Sequence, residues 1–311
     1  MTHPVEINSL SKRFGKKIVL DSVSLTLPAR SLVGLVGRNG SGKTTLLRHV
    51  VGLYLPTTGE CRTFGTPTPE LGSSELERIG FAQQGDNFLD WMRARQIIRY
   101  VANFYPRWDE ALEQNLVDML DIDLETKIDK ASPGNVQKLA LVLATCHHPD
   151  LLLLDEPLSN LDPIARRDVL SMLLDRFEND QVTMVISSHQ VFDIERIVDR
   201  IVCLEKGKVV ADAGLDELKE SFAEWVVTSR EGLLPPVYDG SYVLEAEGDR
   251  FQARLTVRDP DGYLAAFQSR YSAEVIAHRL GLEAIFPLLV DQATRASAKN
   301  PTEAKRVETV A

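Results

Sequence analysis

The chain has 311 residues, a formal net charge of -10 at pH 7, and 44% hydrophobic against 26% charged residues. That length accommodates one large and one small domain around a sizeable core, and the acidic balance excludes an overall basic footprint for nucleic acid. Cys61, Cys146 and Cys203 are odd in number and widely spaced, which excludes a disulfide framework and points to a reducing compartment.

Residues 1–20 mix polar and apolar positions and include Lys12, Arg13, Lys16 and Lys17, so no signal-peptide core is read there. Val5 to Phe14 and Ile18 to Leu27 are predicted strands, with Gly15-Lys16-Lys17 as the turn between them. In the second, Val23, Leu25 and Leu27 alternate with Ser22, Ser24 and Thr26, which predicts a small antiparallel layer. Ser31 to Val36 is a continuous apolar run, read as a buried parallel strand. Next comes Gly37-Arg38-Asn39-Gly40-Ser41-Gly42-Lys43-Thr44-Thr45, which matches the phosphate-binding pattern G-x-x-x-x-G-K-[ST]. Thr45 to Val51 opens a helix behind it.

A strand, a glycine turn and a helix N-terminus form an anion site, because successive amides point into the turn and the helix dipole adds positive charge. Lys43 is placed for the β- and γ-phosphates of a nucleotide, and the Thr44 hydroxyl for Mg²⁺.

Thr57-Thr58-Gly59-Glu60 reads as a turn and Cys61 to Phe64 as a short strand; Ser74 and Glu77 have capping-box spacing. Ile79 to Ala82 is a further strand, ending at Gln83-Gln84. The texture from Asp90 to His148 is helical, broken at Ser132-Pro133-Gly134-Asn135, where Ser132 is placed to cap the next helix. Leu151 to Leu154 is an apolar strand stopping at Asp155 and Glu156, too short to span a membrane. With no longer run in the sequence, the chain is expected to be soluble by itself. Asp162-Pro163 starts a helix, Val182 to Ser187 is a strand ending at Ser188-His189, and Ile201 to Leu204 pairs with Lys208 to Ala211 across Lys206-Gly207. Apolar strands alternating with helices predict a parallel sheet covered on both faces, with ligand at the carboxyl ends of its strands. There, Asp155 suits an oxygen-ligand shell for Mg²⁺, and Glu156 is a candidate general base or water-orienting group.

This order of motifs resembles the ATP-binding subunit of an ABC transporter over about residues 5 to 215. The resemblance implies an α/β P-loop NTPase core with an antiparallel β layer and a helical subdomain. It implies that Phe14 stacks on adenine, that Gln84 senses Mg²⁺ and the attacking water (Gln83 if the register slips by one), that Glu156 is the catalytic glutamate, and that His189 contacts the γ-phosphate. Ser159 to Asp162 resembles the loop through which two ATP sites communicate. The family signature Leu-Ser-Gly-Gly-Gln is replaced by Ala131-Ser132-Pro133-Gly134-Asn135. Ser132 and Gly134, the members that reach the partner subunit's nucleotide, remain; Pro133 removes an amide and fixes φ.

The implied cofactors are ATP and Mg²⁺, and the implied partners are a second ATP-binding subunit and an integral-membrane permease, with no nucleic acid. The implied place is the cytoplasmic face of the membrane. Phe104-Tyr105-Pro106-Arg107-Trp108-Asp109 and the match through Asp150 resemble bacterial ABC-2 type exporters, including antibiotic-export subunits. Phe88, Leu89, Trp91 and Met92 follow the glutamine loop and are read equally as a permease-docking surface or as packing inside the helical subdomain. A nucleotide-gated regulatory subunit with little turnover is the alternative function.

The expected domains are 1–216, the ATP-binding domain; 217–295, a small α+β accessory domain; and 296–311, a small, polar, disordered tail. In the accessory domain Trp225 to Val227, Tyr242 to Ala246, Phe251 to Val257 and Glu274 to His278 read as strands, and Gly262 to Arg270 and Leu282 to Val290 as helices. Cys146-His147-His148 is not read as a metal site, since adjacent helical residues diverge.

Overall fold

The computed structural model describes residues 3–85, 88–231, 233–235 and 237–299, which fall into two compact units, one ending at Asp212 and one beginning at Ala213. The first unit opens with β1 (Val5–Phe14) and β2 (Lys17–Leu27), which alternate buried and exposed side chains and pair antiparallel from Val5 opposite Leu27. Then come β3 (Leu32–Val36), buried at every position, and α1 (Lys43–Val50). β4 (Thr58–Thr63) and β5 (Thr66–Pro67) complete an antiparallel sheet in the order β2-β1-β4-β5. The segment read as a turn at Thr57 to Glu60 is mostly strand. Thr58 already pairs with Ser11, and a register shift between Asn8 and Ser11, with Ser9 at φ 46°, absorbs the irregularity.

α2 (Ser73–Leu76) is capped two residues earlier than its spacing suggested, since the Glu75 carboxylate accepts from the Gly72 amide at 3.0 Å. β6 (Ile79–Ala82) leads into α3 (Ala94–Ala102), α4 (Glu110–Met119) and α5 (Pro133–Thr145). Asp109 caps α4 by accepting from the Leu112 amide, and Ser132 caps α5 by accepting from the Asn135 amide.

β7 (Leu151–Asp155), α6 (Pro163–Asp180), β8 (Thr183–Ser188), α7 (Val191–Ile194), β9 (Arg200–Glu205) and β10 (Lys208–Gly214) follow. Lys206 and Gly207, both at positive φ, make the tight turn between the last two strands. The main sheet has the order β10-β9-β3-β8-β7-β6, with parallel pairing among β9, β3, β8, β7 and β6. β3, β7 and β8 are buried along their whole length, as strands covered on both faces must be. Between the two sheets, Ile7, Leu25, Leu27, Val33, Leu35, Leu46, Leu47, Leu153 and Val185 form one apolar core that fixes α1 and the loop before it.

The second unit contains α8 (Leu215–Glu220), β11 (Phe222–Ser229), β12 (Val243–Gly248), β13 (Gln252–Arg258), α9 (Pro260–Arg270), β14 (Ala273–Arg279) and α10 (Leu282–Lys299). Its antiparallel sheet has the order β12-β13-β11-β14. Trp225, Val227, Leu255, Val257, Tyr263 and Phe267 fill its core, with Tyr263 stacked between Trp225 at 5.7 Å and Tyr242 at 4.4 Å. The last helix runs to Lys299, into the segment read as a disordered tail; residues 300–311 lie outside the described residues.

Candidate functional site

The carboxyl ends of β3, β7 and β8 bring together several of the side chains that the sequence singles out. β3 delivers the chain into Gly37–Gly42, and α1 begins at Lys43. Gly42 stands at φ 114°, where a Cβ would also meet Leu20 at 2.8 Å, so only glycine turns the chain into the helix there. The loop is held from below by Ser41, whose amide donates to Arg38 O and whose carbonyl accepts from Gly207 N.

Lys43 is 6% exposed. Its ammonium donates to Gly37 O at 2.8 Å and pairs with Glu156 Oε1 at 3.2 Å. Glu156 is 8% exposed and directly follows β7 at φ 53°, a left-handed backbone that turns its carboxylate toward the loop. Its second oxygen lies 2.8 Å from His189 Nδ1. One buried carboxylate thus bridges the P-loop lysine and the histidine after β8. Beside it, the Ser187 hydroxyl donates to Asp155 Oδ1 at 2.6 Å and accepts from the Glu156 amide at 2.9 Å, so β8 fixes both carboxylate-bearing residues. Asp155 is likewise buried.

A cleft of ≈ 350 Å³ opens beside this cluster, lined among others by Asn39, Gln84, Glu156, Ser159, Asn160 and His189. Gln84 therefore reaches the cleft, whereas Gln83 Oε1 accepts from Arg48 at 3.1 Å on the other side of the strand end. The residues fit an anionic ligand. The Ser41 hydroxyl is buried with no hydrogen-bond partner among the described residues, which costs about 1–3 kcal/mol and which a phosphate oxygen would satisfy. Thr44 and Asp155 offer the oxygen donors that Mg²⁺ prefers. Arg38, Gly40 and Thr45 complete the loop and the first turn of α1.

Phe14 is no core aromatic. It is 44% exposed and sits edge-on to Tyr54 at 5.4 Å, with the Lys12 ammonium 5.0 Å from its ring centre. Arg48 Nη1 donates to the Tyr54 hydroxyl at 2.9 Å, tying this aromatic pair to the last turn of α1. Ser132 and Gly134 are not part of the cleft lining. Gly134 packs so closely on Asn160 that a Cβ would stand 2.7 Å from the Asn160 carbonyl oxygen.

Leu89 and Trp91 are exposed, Trp91 at 65%, while Phe88 is half-buried and Met92 buried. The segment is therefore divided: Met92 is buried, Phe88 is half-buried, and Leu89 and Trp91 face outward.

The Cys146-His147-His148 side chains go to packing. Burial pushes the Cys146 thiol up to about 12 and the His147 imidazole down to about 4. His147 Nε2 contacts Ile79 O at 3.1 Å and its ring stacks on Tyr105, while His148 Nε2 lies 2.9 Å from Asp109. Ser187 touches Asp155 and Glu156, and Tyr54 with Arg48 touches Phe14 and Gln83, yet no motif marks these three residues. Only the polar Ser187-Ser188 ending of a buried strand hinted at one of them.

Comparisons with known proteins give the same picture. A family model described as "ABC transporter" matches residues 20–159. The chain is 33% identical over 218 residues to the ABC transporter ATP-binding protein YtrB of Bacillus subtilis, covering 70% of this chain and 74% of that protein. It is 29% identical over 222 residues to the bacitracin transport ATP-binding protein BcrA of Bacillus licheniformis, covering 71% and 72%. A solved structure of an ATP-binding subunit of an ABC transporter superposes with a TM-score of 0.61 at 25% identity, covering 70% of this chain and 92% of that one.

Proposed function

The chain belongs to the ABC transporter family, and from that premise we propose that it is the ATP-binding and ATP-hydrolysing subunit of an exporter whose membrane-spanning permease is a separate protein. The observation that carries this reading is the Glu156 carboxylate, held between Lys43 and His189 at the rim of the parallel sheet. An incoming triphosphate competes for Lys43, because its γ-phosphate presents more negative charge to the ammonium than one carboxylate does. Once Lys43 moves to the phosphate, Glu156 is left free to orient a water and accept its proton, and His189 to donate to a γ-phosphate oxygen. The loop amides and the Ser41 hydroxyl receive the β- and γ-phosphates, and Phe14 stacks on the base. Thr44, Asp155 and Gln84 would hold Mg²⁺, which supplies positive charge against the phosphate oxygens when bound.

Ser132 and Gly134 stand outside the chain's own cleft, as expected for groups that complete a partner's site. ATP then lies between two subunits and draws them together. Pro133 takes one amide from the first turn of α5 and favours slow turnover, up to the limit of a nucleotide-gated subunit that hardly hydrolyses. Leu89 and Trp91, outward-facing and following Gln84 in the sequence, are the proposed contact with the permease, and no described helix is long and apolar enough to cross a membrane. Export is proposed from the likeness, 31% over 223 residues, to a relative described as a Nod factor export ATP-binding protein.

The test is phosphate release by the chain purified with the membrane protein that accompanies it. ATP turnover that disappears in Lys43→Ala supports the transport ATPase. Tight ATP binding with no turnover in the wild type supports the gated subunit, and neither binding nor turnover refutes both.

A further inference from the structure

The sheet of the second unit ends in two edge strands that are protected very differently. β12 pairs with β13 through a register shift between Val243 and Glu245, and it carries Glu245 and Glu247 at exposed positions. Two copies of such an edge would set like charges against each other, a common way of keeping edges apart. β14 lacks this protection. Its residues pair with β11 in unbroken register, from Ala273 opposite Ser229 to Arg279 opposite Ala223, and neither Pro nor Gly interrupts them. Among the described residues no strand pairs with its outer side. Ile276, at its centre, is 53% exposed. Glu274 and His278, both exposed, lie two residues to either side on the same face.

We propose that β14 is the surface by which two copies of this chain pair, antiparallel about a two-fold axis through Ile276, so that the two sheets become continuous. The charge pattern selects this occupant and this register. In an isologous antiparallel pair, residues directly opposite must share a face, so the axis passes through a residue. With the axis at Ile276, Glu274 faces His278 of the partner subunit, His278 faces the partner's Glu274, and the two isoleucines meet at the centre. An axis at Val275 would set Ile276 against the partner's Glu274, and one at Ala277 would set it against the partner's His278. Only the central axis joins opposite partners and apolar to apolar. Among the described residues Glu274 otherwise has a 3.7 Å contact with Arg230, between two exposed side chains, and it remains available.

The pairing requires neither ATP nor the residues of the nucleotide cleft. It therefore holds two copies together when no nucleotide draws them, and it stands or falls apart from the ATPase reading.

The experiment is sedimentation equilibrium of the full chain in EDTA without nucleotide, over a wide concentration range. The expected mass rises with concentration from 34.7 kDa toward twice that value. Ile276→Lys is expected to stay at the single-chain mass with an unchanged melting curve, since the side chain is exposed in the single chain. Charge-swapping both positions, Glu274→His with His278→Glu, is expected to restore the association that either change alone weakens. As a second readout, Ile276→Cys is expected to form an intermolecular disulfide under mild oxidation, and Glu245→Cys is not; Cys61, Cys146 and Cys203 are buried and do not compete. A wild-type chain that remains single throughout, an Ile276→Lys variant that associates like the wild type, or a failure of Ile276→Cys to cross-link would each overturn the proposal.

Discussion

Replacing Glu156 by Gln removes one charge from the centre of the site and leaves its shape nearly intact. In the structure without nucleotide, Lys43 depends on two acceptors, Gly37 O at 2.8 Å and Glu156 Oε1 at 3.2 Å. The glutamine carbonyl can still accept from Lys43, so the change converts an ion pair into a hydrogen bond from a charged donor to a neutral acceptor. That difference is about 1–2 kcal/mol, below the cost of leaving a buried lysine with no partner at all. The nucleotide-free protein is expected to melt about 3–6 °C lower than the wild type. ATP should close the gap, because the phosphate no longer displaces a carboxylate from Lys43 and the empty-site pair that binding breaks is weaker by the same amount. The thermal shift on adding Mg-ATP is therefore larger in the variant, whereas phosphate release falls by about a hundredfold or more through loss of the base. Differential scanning fluorimetry with and without Mg-ATP, alongside a phosphate-release assay, reads both. An unchanged melting point without nucleotide, together with an ATP shift equal to that of the wild type, would refute the competition between Glu156 and phosphate for Lys43.

Phe14→Ala should weaken ATP binding about five- to tenfold, the value of one aromatic stack, and leave tripolyphosphate binding unchanged; Phe14→Trp should retain both, as calorimetric titration would show. Burial holds the His147 imidazole down to about 4, so it stays neutral in the fold while the unfolded chain takes up a proton below about 6.5. Stability should accordingly fall as the pH drops from about 6.5 to about 4, by up to about 3 kcal/mol, and His147→Gln should flatten that part of a urea-denaturation pH series. Trp225→Ala, at a fully buried position stacked on Tyr263, should cost the second unit about 3–5 kcal/mol. Its near-UV circular dichroism should collapse while ATP binding persists.

Much of the site was legible because its chemistry is local in sequence. A glycine loop between a buried strand and a helix, or two carboxylates ending an apolar strand, announces itself within ten residues, and Gly37–Thr45 and Asp155-Glu156 lie where that pattern puts them. The fold read well for the same reason, since strands such as Leu151–Asp155 are apolar throughout and β1 and β2 alternate. What escaped depends on long-range contact. Ser187 joins Asp155 and Glu156 only because β7 and β8 are adjacent, with Asp155 opposite Ser187 in register. The Phe14–Tyr54–Arg48–Gln83 chain links β1, α1, the loop after α1 and the residue after β6, which no spacing relates. Thr58 to Glu60, with its central glycine, imitates a turn locally, and the pairing with β1 overrides it. The cap at Gly72 was missed because glycine has no side chain to advertise it.

The most direct measurement is a structure of the chain with Mg²⁺ and a non-hydrolysable ATP analogue. The triphosphate is expected along the amides of Gly37 to Thr45, with Lys43 Nζ moved from Glu156 to a phosphate oxygen and Phe14 against the base. An analogue bound elsewhere at saturating concentration, or Lys43 still paired with Glu156 beside it, would contradict the assignment.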